Sequence, residues 1–143
     1  MFSDVHKKAG VTYPQGFQAA GVKAGIKKSG NLDVAVIYTE QEAAVAGTFT
    51  QNAVASAPVR ASKKVVATGM AHAITANAGC ANACTGEQGE KDAAAMQDIT
   101  ATALGCKADD VVVASTGVIG VNLPMDKMET GIKQAVKEAY EEL

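Results

Sequence analysis

Residues 115–120, Ser-Thr-Gly-Val-Ile-Gly, follow an apolar run and combine two hydroxyls with two glycines. A hydroxyl next to a glycine at a strand end lets backbone N–H groups come close to a ligand. Such donors can hold an oxyanion or a phosphate. The plain alternative is an ordinary turn out of a strand, because Gly-rich loops are common. A second stretch, Asn77-Ala78-Gly79-Cys80-Ala81-Asn82-Ala83-Cys84-Thr85-Gly86, leads into a helical pattern. Helix N-termini attract anions. No Gly-Lys-Ser/Thr follows, so this is not a P-loop, and the dinucleotide fingerprint is absent too. A helix-capping loop packed with small residues is the preferred local reading. The third set is Cys80, Cys84 and Cys106 with His72 upstream. Zinc would take Cys-x3-Cys plus two more ligands, with Cys106 a conceivable one. Cys106 carries no paired motif, so inert reduced thiols and no metal are expected. A cysteine nucleophile would want a base such as His72. That histidine sits in an Ala-Ile strand pattern and reads as a hydrogen-bonded structural residue. The other histidine, His6, lies in an unpatterned tail. No Ser-His-Asp set and no nucleophile can be argued from these residues.

Elements must position these stretches, and 143 residues suffice for a single domain, 1–143. Hydrophobic residues make up 48% of the chain and aromatics only 4%. Its core is therefore built from small side chains, and close backbone packing must replace bulk. A net charge of −2, with lysine pairs short and scattered, excludes a nucleic-acid binder, which needs a concentrated basic patch. No apolar stretch is long enough to span a bilayer. Met1–Gly10 has no apolar segment of the secretory kind. With three cysteines and no export signal, a reducing cytoplasm is the expected location.

Residues 1–30 are punctuated by glycines and read as turns and short extended pieces. Leu32–Thr39 is apolar and β-branched, hence a strand, with Ala43–Thr50 as its partner and Thr39–Glu42 as the polar connection. Ala57–Thr68 is ambiguous: Pro58 opens it, Val59 is strand-like, and Ser62 could start a short helix. Ala71–Ala76 is another strand candidate. A helix runs from about Gly86 to Leu104. Thr85 and Gln88 have capping-box spacing, and Gly105 stops the helix. Asp110–Ala114 reads as a buried strand, and Ser115–Gly120 as a sharp loop. Asn122 and Pro124 suit the start of a last helix. On it Met125, Met128, Ile132, Ala135, Val136 and Ala139 form one apolar stripe. The mixture of strands and helices implies a layered α/β (α+β) domain.

The chain resembles the N-terminal part of the bifunctional ornithine acetyltransferase / N-acetylglutamate synthase family. The blocks that carry the resemblance occur in order. Gly10–Phe17, Gly21–Lys27, Leu32–Ile37 and Ala46–Asn52 come first. Ala57-Pro58-Val59, Asn77–Gly86 and Ser115–Gly120 follow. The resemblance implies a DmpA/ArgJ-like sandwich of mixed β-sheets and helices. It implies a cytoplasmic glutamate N-acetyltransferase of arginine biosynthesis that moves an acetyl group from N-acetylornithine to glutamate. No cofactor is implied, though acetyl-CoA is a possible second donor. It also implies a precursor that cleaves itself into two chains. The nucleophile is the N-terminal Thr of the second chain, whose own amine acts as base. Two copies of each chain would make a hetero-tetramer. The first chain's Thr-Gly pair, here Thr116 and Gly117, helps form the oxyanion hole.

Two departures qualify the match. Where the family usually has Asn-Ser-Gly-Asn, this chain has Ala78 and Cys80 in place of the Ser and the second Asn. The family's first chain also continues past Leu143, so the nucleophile and the main substrate contacts are expected downstream and the chain alone is expected to be inactive. Its apolar helix stripe is expected to be left exposed. Two other functions compete: a self-cleaving aminopeptidase of the same architecture, and a non-catalytic small-molecule-binding module.

Overall fold

The computed structural model describes residues 10–141. Four strands, β1 (Phe17–Val22), β2 (Val34–Ala44), β3 (Met70–Cys80) and β4 (Val111–Val118), form one sheet in the order β1-β2-β3-β4. β1 and β2 are antiparallel, as are β2 and β3, whereas β3 and β4 are parallel. Three helices accompany them: α1 (Ala57–Val66), α2 (Gly86–Leu104) and α3 (Met125–Glu141). α2 is the crossover that parallel pairing of β3 and β4 requires.

Strand alternation decides which face is covered. Val34, Val36 and Tyr38 of β2, Ala73 and Thr75 of β3, and Val111 and Val113 of β4 are buried on one face. Met96 of α2 and Met128, Ile132, Ala135 and Val136 of α3 close over them. The stripe on α3 is thus packed within this chain, not exposed as its position at the chain end suggested. Gly131 makes the approach close: a Cβ there would lie 2.7 Å from the Ala24 Cβ and 3.1 Å from a Val34 methyl. A buried hydroxyl pair, Thr75 and Thr100 at 2.7 Å, joins β3 to α2.

α1 guards the sheet edge. The buried Ser62 hydroxyl donates to the Val113 carbonyl at 2.6 Å and accepts from the Val113 N–H at 2.9 Å. Gln97 of α2 donates to the Val111 carbonyl at 2.8 Å. The Val111 carbonyl and both backbone groups of Val113 are thereby spent inside the molecule, which blunts this part of the edge for pairing.

Several sequence expectations change. Ala43–Thr50 is not a separate strand, and Thr39–Glu42 is not its connection. β2 runs straight through to Ala44, and its register on β3 shifts between Tyr38 and Ala43. The polar residues bulge outward there, and β3 rather than residues 45–50 supplies the partner. Ala57–Thr68 resolves as α1, in which Ser62 lies mid-helix. Residues 115–118 complete β4, so only the end of Ser115–Gly120 is a bend. Thr85 forms no capping box. Its hydroxyl donates to the Asn82 side chain at 2.7 Å, and Gln88 bonds Asp92 instead. Asn122 does not cap α3, because the Pro124 carbonyl accepts the first helical N–H groups, from Lys127 and Met128.

Candidate active site

The two glycine-containing stretches singled out in the sequence lie side by side. In the parallel β3–β4 pair, Asn77 faces Ser115, Ala78 faces Thr116, Gly79 faces Gly117 and Cys80 faces Val118. Beyond the strands the zipper continues: the Ala81 N–H donates to the Val118 carbonyl at 2.9 Å, and the Gly120 N–H to the Ala83 carbonyl at 2.8 Å. The Cys80 thiol, buried, donates to the Val121 carbonyl at 3.1 Å. One of the two replaced positions in the Asn77–Cys80 stretch therefore makes a tertiary contact. Cys80 ties the end of β3 to the segment after β4, while Ala78 is half-buried beside Thr116.

Gly117 cannot be another residue without moving backbone. Its φ is +134°, and a Cβ would lie 2.4 Å from the Gly79 carbonyl carbon and 2.6 Å from the Cys80 nitrogen. Thr116 and Gly117 are exposed at the C-terminal end of β4. The Thr116 side chain has no hydrogen-bond partner among the described residues. Ends of parallel strands beside the N-terminus of a crossover helix are the usual place for ligands in such units. Positive φ values recur around this end, at Gly79, Asn82, Cys84, Gly86, Gly117 and Gly120. Asn82 and Cys84 carry the associated strain, of order 1 kcal/mol or more each.

That strained loop is held by contacts the sequence reading missed. Asn82 is fully buried, donates to the Gly89 carbonyl at 2.9 Å and accepts from Thr85. A Cβ on Gly89 would fall 1.9 Å from the Thr85 hydroxyl. A glycine within an alanine-rich helix was the available signal, since it is costly there without a packing reason. Asn77 is buried as well and donates to the Cys80 carbonyl at 3.0 Å.

The remaining candidates do not join this site. The ring nitrogen Nδ1 of half-buried His72 lies 3.3 Å from the Thr39 carbonyl, as the structural reading expected. It sits at the opposite end of β3 from Cys80, about 26 Å away along a strand. Cys84 is exposed, and Cys106 lies beyond the far end of α2, where burial pushes its thiol pKa up. Among the described residues no cluster of three or more His, Cys, Asp or Glu could hold a metal ion. His6 lies outside the described residues. No described helix is long and apolar enough to cross a membrane.

The ArgJ family model matches residues 18–142. The chain belongs to the ArgJ family. An arginine biosynthesis bifunctional protein ArgJ from Gloeobacter violaceus is 47% identical over 133 residues, covering 92% of this chain and 33% of that protein. The ArgJ protein from Mycobacterium tuberculosis is 47% identical over 137 residues, covering 92% and 34%. The chain thus spans about a third of the length of the curated relatives it matches. Among solved structures, ornithine acetyltransferase from M. tuberculosis, complexed with ornithine, superposes with a TM-score of 0.87 at 47% identity. The match covers 90% of this chain and 70% of that one. An ArgJ structure from Bacillus halodurans gives 0.85 at 36% identity, covering 92% and 72%. The mixed α/β fold is therefore that of ArgJ ornithine acetyltransferases.

Proposed function

We propose that this chain is the oxyanion-hole part of a cytoplasmic glutamate N-acetyltransferase that transfers acetyl from N-acetylornithine to glutamate in arginine biosynthesis. The observation that carries the reading is the packing of Gly117 on Gly79, which presents Thr116 unpartnered at the open end of β4, in a chain of the ArgJ family. In this reading a Thr nucleophile on a second, downstream chain attacks the acetyl carbonyl. Its proton passes to that chain's N-terminal amine. The resulting alkoxide is held by the Thr116 hydroxyl and the Gly117 N–H. Collapse expels ornithine and leaves an acetyl-enzyme, which the glutamate amine then attacks. The reaction draws on no cofactor; acetyl-CoA would enter only as an alternative acetyl donor.

The reading of two chains has support in lengths. This chain matches 34% of the curated M. tuberculosis relative but covers 70% of the solved M. tuberculosis chain, so that solved chain is much the shorter. The sheet offers the second chain a surface. On the face opposite the helices, Ala35, Ile37, Ile74, Ala76, Val112 and Ala114 are uncovered or half-covered. We place the nucleophile-bearing chain there, in a hetero-tetramer of two copies of each.

The test is substitution in the complete enzyme. Thr116→Ala should lower kcat by about ten- to a thousandfold, with residual activity from the Gly117 N–H. A kcat within about twofold of the parent would remove Thr116 from the oxyanion hole.

A further inference from the structure

We propose that Asp33 is a positioning residue for this site: it clamps the loop after β1 onto Gly79, and Gly79 in turn sets where the Gly117 backbone lies. The inference rests on the oxyanion reading of Thr116 and Gly117.

Asp33 stands just before β2 and is 4% exposed. One carboxylate oxygen accepts the Ala24 N–H at 2.7 Å; the other accepts those of Ile26 at 2.6 Å and Lys27 at 2.9 Å. Successive N–H groups curled around an anion form a nest, here filled by the chain's own carboxylate. The loop needs such a clamp. Residues 23–31 contain three lysines, two glycines and only one large apolar side chain, Ile26, itself half-buried. The Asp33 backbone is committed to the same place, since its carbonyl accepts the Ala78 N–H at 2.8 Å.

From this loop the contacts run to the site through Ile26 and Lys27. Gly79 has φ +112°, and a Cβ on it would meet the Ile26 Cγ2 at 3.0 Å and the Ile26 carbonyl carbon at 3.3 Å. On the next layer, a Cβ on Gly117 would meet Gly79 itself at 2.4 Å. The loop thus meets Gly79 through the Ile26 backbone and the Ile26 and Lys27 side chains, and Gly79 meets Gly117 backbone on backbone. The β-branched Ile26 side chain has little rotamer freedom and the Gly79–Gly117 layer is backbone alone, so a shift of the loop is transmitted, because packed interiors yield little. Oxyanion donors tolerate little displacement, and a misplacement of about 1 Å can cost on the order of a hundredfold in rate.

The experiment uses the complete enzyme containing this sequence. Asp33→Asn keeps the side chain's size but turns an amide N–H2 toward backbone donors. Rates are taken well below each variant's melting temperature and divided by the amount of acetyl-enzyme formed in the burst, so that loss of folded protein does not count. The expected result is a kcat per acetylated site lower by about ten- to a hundredfold, with KM for N-acetylornithine within about threefold. Gly79→Ala strains the same contact from the other side; it should lower kcat likewise and serves alone if Asp33→Asn does not fold. A normal kcat per site in the folded variants, beside an impaired Thr116→Ala enzyme, would overturn this inference alone. An unimpaired Thr116→Ala enzyme would overturn the oxyanion reading and this inference with it.

Discussion

Two buried side chains show how single residues shape the site. Burial alone would raise the Asp33 carboxyl pKa, but the backbone N–H groups of Lys27, Ala24, Ile26 and Gly25 outweigh it, and the value falls below the usual 3.8. A carboxyl held lower in the folded state stabilises the fold above its unfolded pKa, and that contribution is lost as pH falls through the folded value. Asp33→Asn should therefore lower stability near neutrality by about 2–4 kcal/mol, because it removes charge-assisted bonds and leaves buried donors unpaired. The variant should also lose less further stability than the parent when acidified from about pH 5 to 2, which denaturant titrations at several pH values would measure. An equal loss across that window in both proteins would contradict the nest. Asn82 offers a contrast: it is fully buried in a left-handed conformation, yet neutral, and its amide is committed to the Gly89 carbonyl and the Thr85 hydroxyl.

Helices and strands were legible to different degrees. α2 was readable to its last residue, because a long run of good helix formers ends at Gly105, which has the expected left-handed conformation with φ +73°. From residue types alone β2 reads as two strands, because the polar run 39–42 looks like a turn; nothing local reveals that the chain passes through it with a register shift. α1 was ambiguous because its small size and β-branched valines leave propensity undecided, and the Ser62 contact to β4 decides it across 51 residues. α3 was readable as a helix, but not its docking. Gly131 within it costs about 1 kcal/mol of helix propensity against alanine. The structure explains that cost by the contact with Ala24 and Val34. Gly131→Ala should accordingly destabilise the protein by about 1–3 kcal/mol despite the better propensity, since overpacking outweighs it. A variant melting at or above the parent temperature would show that α3 does not sit so close.

At the scale of the molecule, the described helices cover one face of the sheet and leave the other partly open. Ile37 faces Ile74 directly across β2 and β3 on the other, and Ile74 is 40% exposed. Contiguous apolar surface of this kind drives association. The isolated chain should be inactive with N-acetylornithine and glutamate, and its mass in solution should rise with concentration. Replacing Ile37 and Ile74 by Lys should suppress that rise; a clean monomer of the parent chain at high concentration would show that the open face needs no partner. The sequence by itself determined the class of fold, the span of α2, the two glycine stretches worth watching and the ordered blocks of family resemblance. Each of these rests on local patterning: helical periodicity, β-branched runs, and glycine at turns. Only the tertiary structure decided that Gly79 and Gly117 meet, that Asp33 organises the loop behind them, that Cys80 bonds across to Val121, and that the stripe of α3 is spent internally while the sheet stays open. Those facts depend on strand register and on contacts between residues tens of positions apart, and residue types along the chain do not specify which of many compatible pairings wins.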